Sequence, residues 1–209
     1  MPEHLISLRA GPLSATFVDG DLRYIRHRGG EVIRRVYGAV RDRNWGTVPG
    51  KRRMLDVRLD PDSFLIRYHS QHRQDPIHFE WDARLQGDNS GVITVSFEGR
   101  ALTRFPKNRI GLCILHPASC ANLPCGVLRG DGSTAELRFP AAVEPAQPVP
   151  GIHDLVLFAH RSSPDWWTVV ELAGERFEME DQRNWIDASF KIYGTPLHLP
   201  FPVEIPAGT

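Results

Sequence analysis

The sequence predicts an all-β fold, an antiparallel β-sandwich, and three observations carry that prediction. The dominant hydrophobic period is two, apolar and polar residues alternating along segment after segment. Seventeen Pro and eighteen Gly are spread over 209 residues, which favours turns and leaves little room for long helices. The apolar runs are joined by short connections, the mark of antiparallel sheets packed face to face.

In chain order, SATFV and LRYIR flank Asp19-Gly20-Asp21, a Gly-bearing hairpin signal. EVIRRVYGAVR continues after the Gly29-Gly30 turn, and DVRL and FLIRYH are separated by Asp60-Pro61-Asp62. IHFEWDARLQ alternates without fault: Ile77, Phe79, Trp81, Ala83 and Leu85 form one face, and His78, Glu80, Asp82, Arg84 and Gln86 form a wet one. GDNSG at 87–91 turns that strand into VITVSFEGR, with Ile93, Val95 and Phe97 inward. RIGLCILH, TAELRFP, DLVLFAH, WWTVVELA and RFEMED follow, the last two hinged at Gly174, and HLPFPVEIPAGT reads as a strand followed by a turn. About a dozen strands in all fit one sandwich domain over residues 1–209. The Pro-rich run FPAAVEPAQPVPG (139–151) contains no Gly/Ser tract, so it reads as a rigid crossover between sheets and not as a domain linker.

Composition excludes several classes. The 41% apolar and 24% charged fractions are those of a globular chain, neither disordered nor collagenous. A net charge of zero offers no global attraction for nucleic acid or membrane. The first sixty residues carry twelve Lys or Arg against seven Asp or Glu, densest at KRR (51–53), which reads as a solvated sheet face or loop. MPEHLISLRAGPL lacks the apolar run of a signal peptide, and no window approaches a membrane span. Cys113, Cys120 and Cys125 are an odd number with no zinc spacing, expected as reduced thiols in a cytoplasmic protein. No metal and no cofactor is expected, since Asp, Glu and His have no diagnostic metal spacing. Nucleophile-elbow, zincin and phosphate-loop motifs are absent, and GDGS at 130–133 reads as a turn.

Polar chemistry concentrates in FEMEDQRNWIDASFK, residues 177–191. Strand parity puts Phe177 and Met179 on one face and Glu178 and Glu180 on the other, roughly 7 Å apart and within reach of one small ligand. Asp181, Gln182, Arg183 and Asn184 then place mixed donors and acceptors at a sheet rim, where Trp185 suits the face of a sugar. The competing reading has Arg183 paired with Asp181 or Asp187, tying down a loop, and Trp185 in the core. A second candidate stretch, FPKNRIGLCILHP, sets Arg109 and His116 about 23 Å apart on one extended strand, too far to share a small ligand.

FEMEDQRNWIDASFKIYGTPLHLPFP, with RDRNWGTVP and NRIGLCILHP, resembles the N-terminal domain of the D-apionate lactonase family over essentially the whole chain. The resemblance implies a β-sandwich module of an enzyme that opens D-apionolactone to D-apionate in the breakdown of apiose. It also implies a downstream barrel-like domain carrying the main catalytic groups. The sheet architecture is similar to the galactose-mutarotase-like supersandwich, which binds sugars on a concave face. Lactone opening needs a base for water and charges for the oxyanion. If this module contributes them, Glu178, Glu180 or Asp181 are the base candidates and Arg183 or Arg109 the charge stabilisers, with Asn184 and Trp185 holding the sugar. The alternatives are a structural domain packing on a catalytic barrel, with DQRNWIDASFK as interface, and a stand-alone mutarotase-like or carbohydrate-binding protein pairing His116 with Glu178. Expected partners are a sugar lactone or other carbohydrate, a downstream catalytic domain, and a second copy of the chain.

Overall fold

A computed structural model describes residues 5–209; Met1–His4, the start of the stretch read as lacking a leader, lie outside the described residues. Sixteen strands fall into three antiparallel sheets among those residues. The large sheet takes β1 (Leu5–Ala10), β2 (Leu13–Val18), β3 (Asp21–His27) and β4 (Gly30–Asp42) from the start of the chain. It is completed by β9 (Phe105–Pro117), β14 (Glu178–Asp181), β15 (Ser189–Tyr193) and β16 (Val203–Ile205). Its order is β1-β2-β3-β4-β9-β15-β14, with β16 paired to the start of β9. A second sheet is the meander β5 (Gly50–Leu59), β6 (Phe64–Gln74), β7 (Ile77–Gly87) and β8 (Ile93–Ala101). A third, ordered β11-β10-β12-β13, comprises β10 (Pro124–Arg129), β11 (Thr134–Arg138), β12 (Leu155–Ser163) and β13 (Trp166–Glu171).

The two smaller sheets pack against the same face of the large one, because that face is where alternation places its apolar residues. Across the large sheet, Val36, Ile114, Ile192 and Met179 stand in one register row. Against this face lie Trp81 of β7, touching Gly38, and Phe158 of β12, whose ring meets His116 at 5.2 Å. One contiguous buried cluster joins all three sheets. None of the sheets closes into a barrel, so the all-β antiparallel sandwich is borne out. No helix among the described residues is long and apolar enough to cross a membrane.

The structure corrects one connection. The Pro-rich run does not cross between sheets: β11 and β12 flank β10 in one sheet, and the run carries the chain past it. It is anchored to the large sheet instead, the Val149 N–H donating to the Met179 carbonyl at 2.8 Å. Gly174 is the hinge between the last two segments, as read, though the strands it joins lie in different sheets. With φ of 89° it turns the chain from β13 in the third sheet into β14 in the large one, a left-handed conformation that suits glycine.

All three cysteines are buried and unpaired. Burial pushes the Cys120 and Cys125 thiols up to about 12 and raises Cys113 as well. The thiolate is the reactive form, so iodoacetamide at neutral pH is expected to leave the folded chain unmodified and to label all three sites once denaturant is added. Mass spectrometry of the two reactions checks this, and labelling of the native chain at Cys113 would contradict it.

Candidate functional site on the outer face of the large sheet

The face of the large sheet turned away from the core carries two polar rows. Antiparallel pairing puts Glu178 opposite Tyr193, Tyr193 opposite Cys113, and Cys113 opposite Tyr37. The adjacent row runs Glu180, Lys191, Leu115, Arg35. Parity along β14 therefore brings both glutamates to one face, with Met179 on the other, as the spacing predicted.

Glu178 is buried, and its Oε1 accepts from the Tyr193 hydroxyl and from the Leu197 N–H, each at 2.6 Å. Burial, and then the hydrogen bond to Glu178, raise the Tyr193 phenol far above its ordinary range, so it stays a donor. Glu180 Oε1 pairs with the Lys191 ammonium and accepts from the Gln182 side chain, while its Oε2 has no protein partner among the described residues. Lys191 lies 5.1 Å from the Tyr193 ring centre. Arg35 stacks 3.9 Å over the Tyr37 ring and pairs with Asp21 at 2.6 Å.

Arg109 reaches the same neighbourhood through the segment after β15. Its guanidinium donates to the Pro196 carbonyl at 3.0 Å, one residue before the Leu197 N–H that Glu178 holds. It is buried between Trp45 and Phe201, 5.7 and 4.8 Å from their ring centres, and desolvation lowers its pKa. Arg109 and Glu178 thus clamp one strap over the end of the rows.

His116 does not join them. It faces the core, fully buried against Phe139, Phe158 and His160, on the opposite side of β9 from Tyr193 and Glu178. The pairing of His116 with Glu178 on one sugar ring is therefore corrected: register separates them by the thickness of the sheet.

Asp181, Arg183 and Asn184 form a latch. Asp181 is buried and accepts from Arg183 Nε at 2.8 Å, Arg183 Nη2 at 2.7 Å and the Glu144 N–H at 2.9 Å. Burial opposes its charge, yet these hydrogen bonds prevail and hold the carboxyl below its usual value. Arg183 also donates to the carbonyls of Pro140 at 3.0 Å and Ala142 at 2.8 Å, and Asn184 donates to that of Glu144. Arg183 tying down a loop, the alternative left open by the spacing, is what the geometry shows. Beyond the latch, the 3-10 turn Gln182–Trp185 presents Trp185 at 58% exposure, outside the core. Ile186 follows, fully exposed at φ of 65°.

A polar cluster that sequence reasoning missed lies on the wet face of the second sheet. His69 Nδ1 sits 3.0 Å from Asp82, its Nε2 is 3.4 Å from Glu80, and Arg100 grips Glu80 at 2.7 and 2.9 Å. With Arg53 and Glu98 they line an open recess of about 520 Å³. Glu80 and Asp82 were legible as wet-face residues of β7, but only the β6–β7 register brings His69 opposite Asp82.

These features sit on a chain whose likeness to known proteins is unambiguous. The D-apionate lactonase N-terminal domain model matches residues 1–209. The chain belongs to the D-apionate lactonase N-terminal domain family. A curated D-apionate lactonase of Brucella anthropi is 38% identical over 208 residues, covering 99% of this chain and 33% of that protein. The chain therefore spans about a third of the length of the curated relative it matches. Within this family domain, Glu180 combines a spare carboxylate oxygen with one adjacent cation, Lys191, on a surface-facing row, while Arg35 lies two strands beyond Lys191 and is paired with Asp21. That combination can accept a proton from water and hold a negative oxygen.

Proposed function

We propose that this chain is the sugar-facing module of a lactonase that opens D-apionolactone to D-apionate in apiose breakdown, acting in the cytoplasm. The observation that carries the reading is the likeness, over nearly its whole length, to a protein named D-apionate lactonase. In the reaction, water adds to the lactone carbonyl carbon as its proton passes to a carboxylate. The tetrahedral oxyanion then collapses, the ring C–O bond breaks, and the departing oxygen takes a proton to become a hydroxyl. Glu180 is the base this module offers, with Lys191 as the charge for the oxyanion. Glu178 and Arg109 hold the strap beside it, and Trp185 offers an exposed ring for a sugar face. Asp181, Arg183 and Asn184 set the position of the rim.

The test follows acid release from D-apionolactone above the spontaneous rate, with the chain alone and with the longer protein that contains it. Glu180→Gln is expected to lower kcat about a hundredfold, in line with loss of a general base. Unchanged turnover in that variant, in whichever form is active, removes Glu180 from the chemistry. A second reading is favoured by the Asp181–Arg183 latch and the exposed Trp185–Ile186 tip: the module is structural and this tip docks on a catalytic domain. It predicts that Trp185→Ala weakens association between separately expressed parts while leaving the chemical step unaltered.

A further inference from the structure

We infer that the outer face of the third sheet is an interface on which a second copy of this chain packs. The two inner strands of that sheet, β10 and β12, are apolar on both sides. Cys125, Val127, Leu155 and Phe158 belong to the buried core. Strand parity turns Gly126, Leu128, Leu157 and Ala159 the other way, where they stand outside that core and only half-buried. Val169 of β13 adds to this face at 55% exposure. The second sheet shows the contrast, since β7 turns His78, Glu80, Asp82, Arg84 and Gln86 to its outer side. Central strands that are apolar on both sides belong to layers covered on both sides. An apolar sheet face left open marks an association surface.

Gly126 ties the flatness of this face to something outside the chain. A Cβ there would meet nothing closer than the Ala135 carbonyl oxygen at 3.8 Å, so the fold itself has room for a side chain. Nor does Gly126 adopt a positive φ that would call for glycine. Glycine in the interior of a strand weakens it, and its presence there fits the close approach of another surface.

Register identifies the occupant. Leu128 and Leu157 stand in one row across β10 and β12, and Gly126 and Ala159 stand in the next. A two-fold axis lying across the strands between these rows turns each row onto the other. Leu128 then lies over Gly126 of the second copy, and Leu157 over Ala159 of the second copy, so a ridge meets a trough at both places. On the outer strands, Glu136 meets Thr134 and Glu171 meets Val169, and no like charges oppose one another. The equivalent operation on the second sheet would set Lys51 against Arg53 and Glu80 against Asp82, like charges both times. Shape and charge together therefore match the third sheet to itself. This face lies across the core from Glu180 and Lys191, and its pairing does not depend on the hydrolytic reading.

The experiment is analytical ultracentrifugation of the 209-residue chain over a concentration series. The wild type is expected to pass from monomer to dimer as concentration rises. Gly126→Leu should remain a monomer with unchanged circular dichroism and urea midpoint, because the folded chain has space for the side chain and the second copy does not. Leu128→Ala should weaken the dimer roughly a hundredfold, since the two-fold repeats the loss of one apolar contact. That variant decides the question if Gly126→Leu fails to fold. Trp185→Ala should leave the dimer intact, which separates this face from the tip beyond the latch. A chain that is monomeric at every concentration would overturn the proposal. So would a dimer that Gly126→Leu tightens or leaves unchanged, as a merely sticky face predicts, or one that Trp185→Ala dissolves.

Discussion

Acidification from pH 6.5 to about 4 is expected to cost the protein about 3 kcal/mol of stability through His160 alone, with His116 adding in the same direction. Both imidazoles are fully buried, their ring centres 5.0 Å apart, against Phe139 and Phe158. Burial lowers His160 to about 4 from its ordinary 6.5. Burial and the neighbouring His160 take His116 well below the ordinary value. The unfolded chain takes up these protons as pH falls below 6.5, whereas folded His160 refuses its proton until about 4. The unfolded state therefore binds more protons across that window, and stability is full above it and lost as pH drops through it. Urea midpoints measured across the window should fall in the wild type, less in His160→Phe, and least when His116 is replaced by Phe as well. An equal decline in all three would show that other groups drive the acid sensitivity. Asp181, held below the usual carboxylate value, loses its contribution only at lower pH, so the two processes separate.

The second large effect is predicted at the latch. Asp181→Ala removes the acceptor of two Arg183 side-chain nitrogens and of the Glu144 N–H, leaving a mostly buried guanidinium with carbonyl partners alone. Breaking one side of such a pair costs about 3 kcal/mol or more. The loss should be local in its consequences, because the latch fastens the Pro-rich run at Pro140, Ala142 and Glu144 to the end of β14. Denaturation should show the drop in stability, and limited proteolysis should open a cut within 140–150. A variant as stable as wild type and equally resistant would show that the run is held by its own packing. Arg183→Lys is expected to fall between, since an ammonium cannot span the carboxylate and the carbonyls together.

Much of this architecture was legible because its strands announce themselves. The alternation in IHFEWDARLQ gives β7 its inner face correctly, since Ile77, Phe79, Trp81, Ala83 and Leu85 are all buried. β10 and β15 were not read. The first, PCGVLR, contains Pro and Gly, which weigh against a strand locally. The second, SFKIY, is five residues following a polar turn. Tertiary placement decides both, for each is an inner strand of its sheet with neighbours on two sides. The site divides in the same way. Strand parity correctly puts Glu178 and Glu180 on one face, whereas their partners Tyr193 and Lys191 come from pairing that no local pattern encodes. Asp181 and Arg183 were adjacent enough to suggest an ion pair, but the backbone they hold, the Glu144 N–H for Asp181 and the Pro140 and Ala142 carbonyls for Arg183, lies about forty residues away in sequence.

The position of β15 between β9 and β14 bears on how the chain is made. Hairpins β1 through β4 and the meander β5 through β8 can form as they leave the ribosome, each from neighbouring sequence. The far edge of β9 has no lasting neighbour until Ser189–Tyr193 is synthesised some seventy residues later. Through that interval a nascent chain carries an open, largely apolar margin at the heart of its widest layer. The order of translation thus makes this margin the place where chaperones would be needed and where premature termination would do most harm.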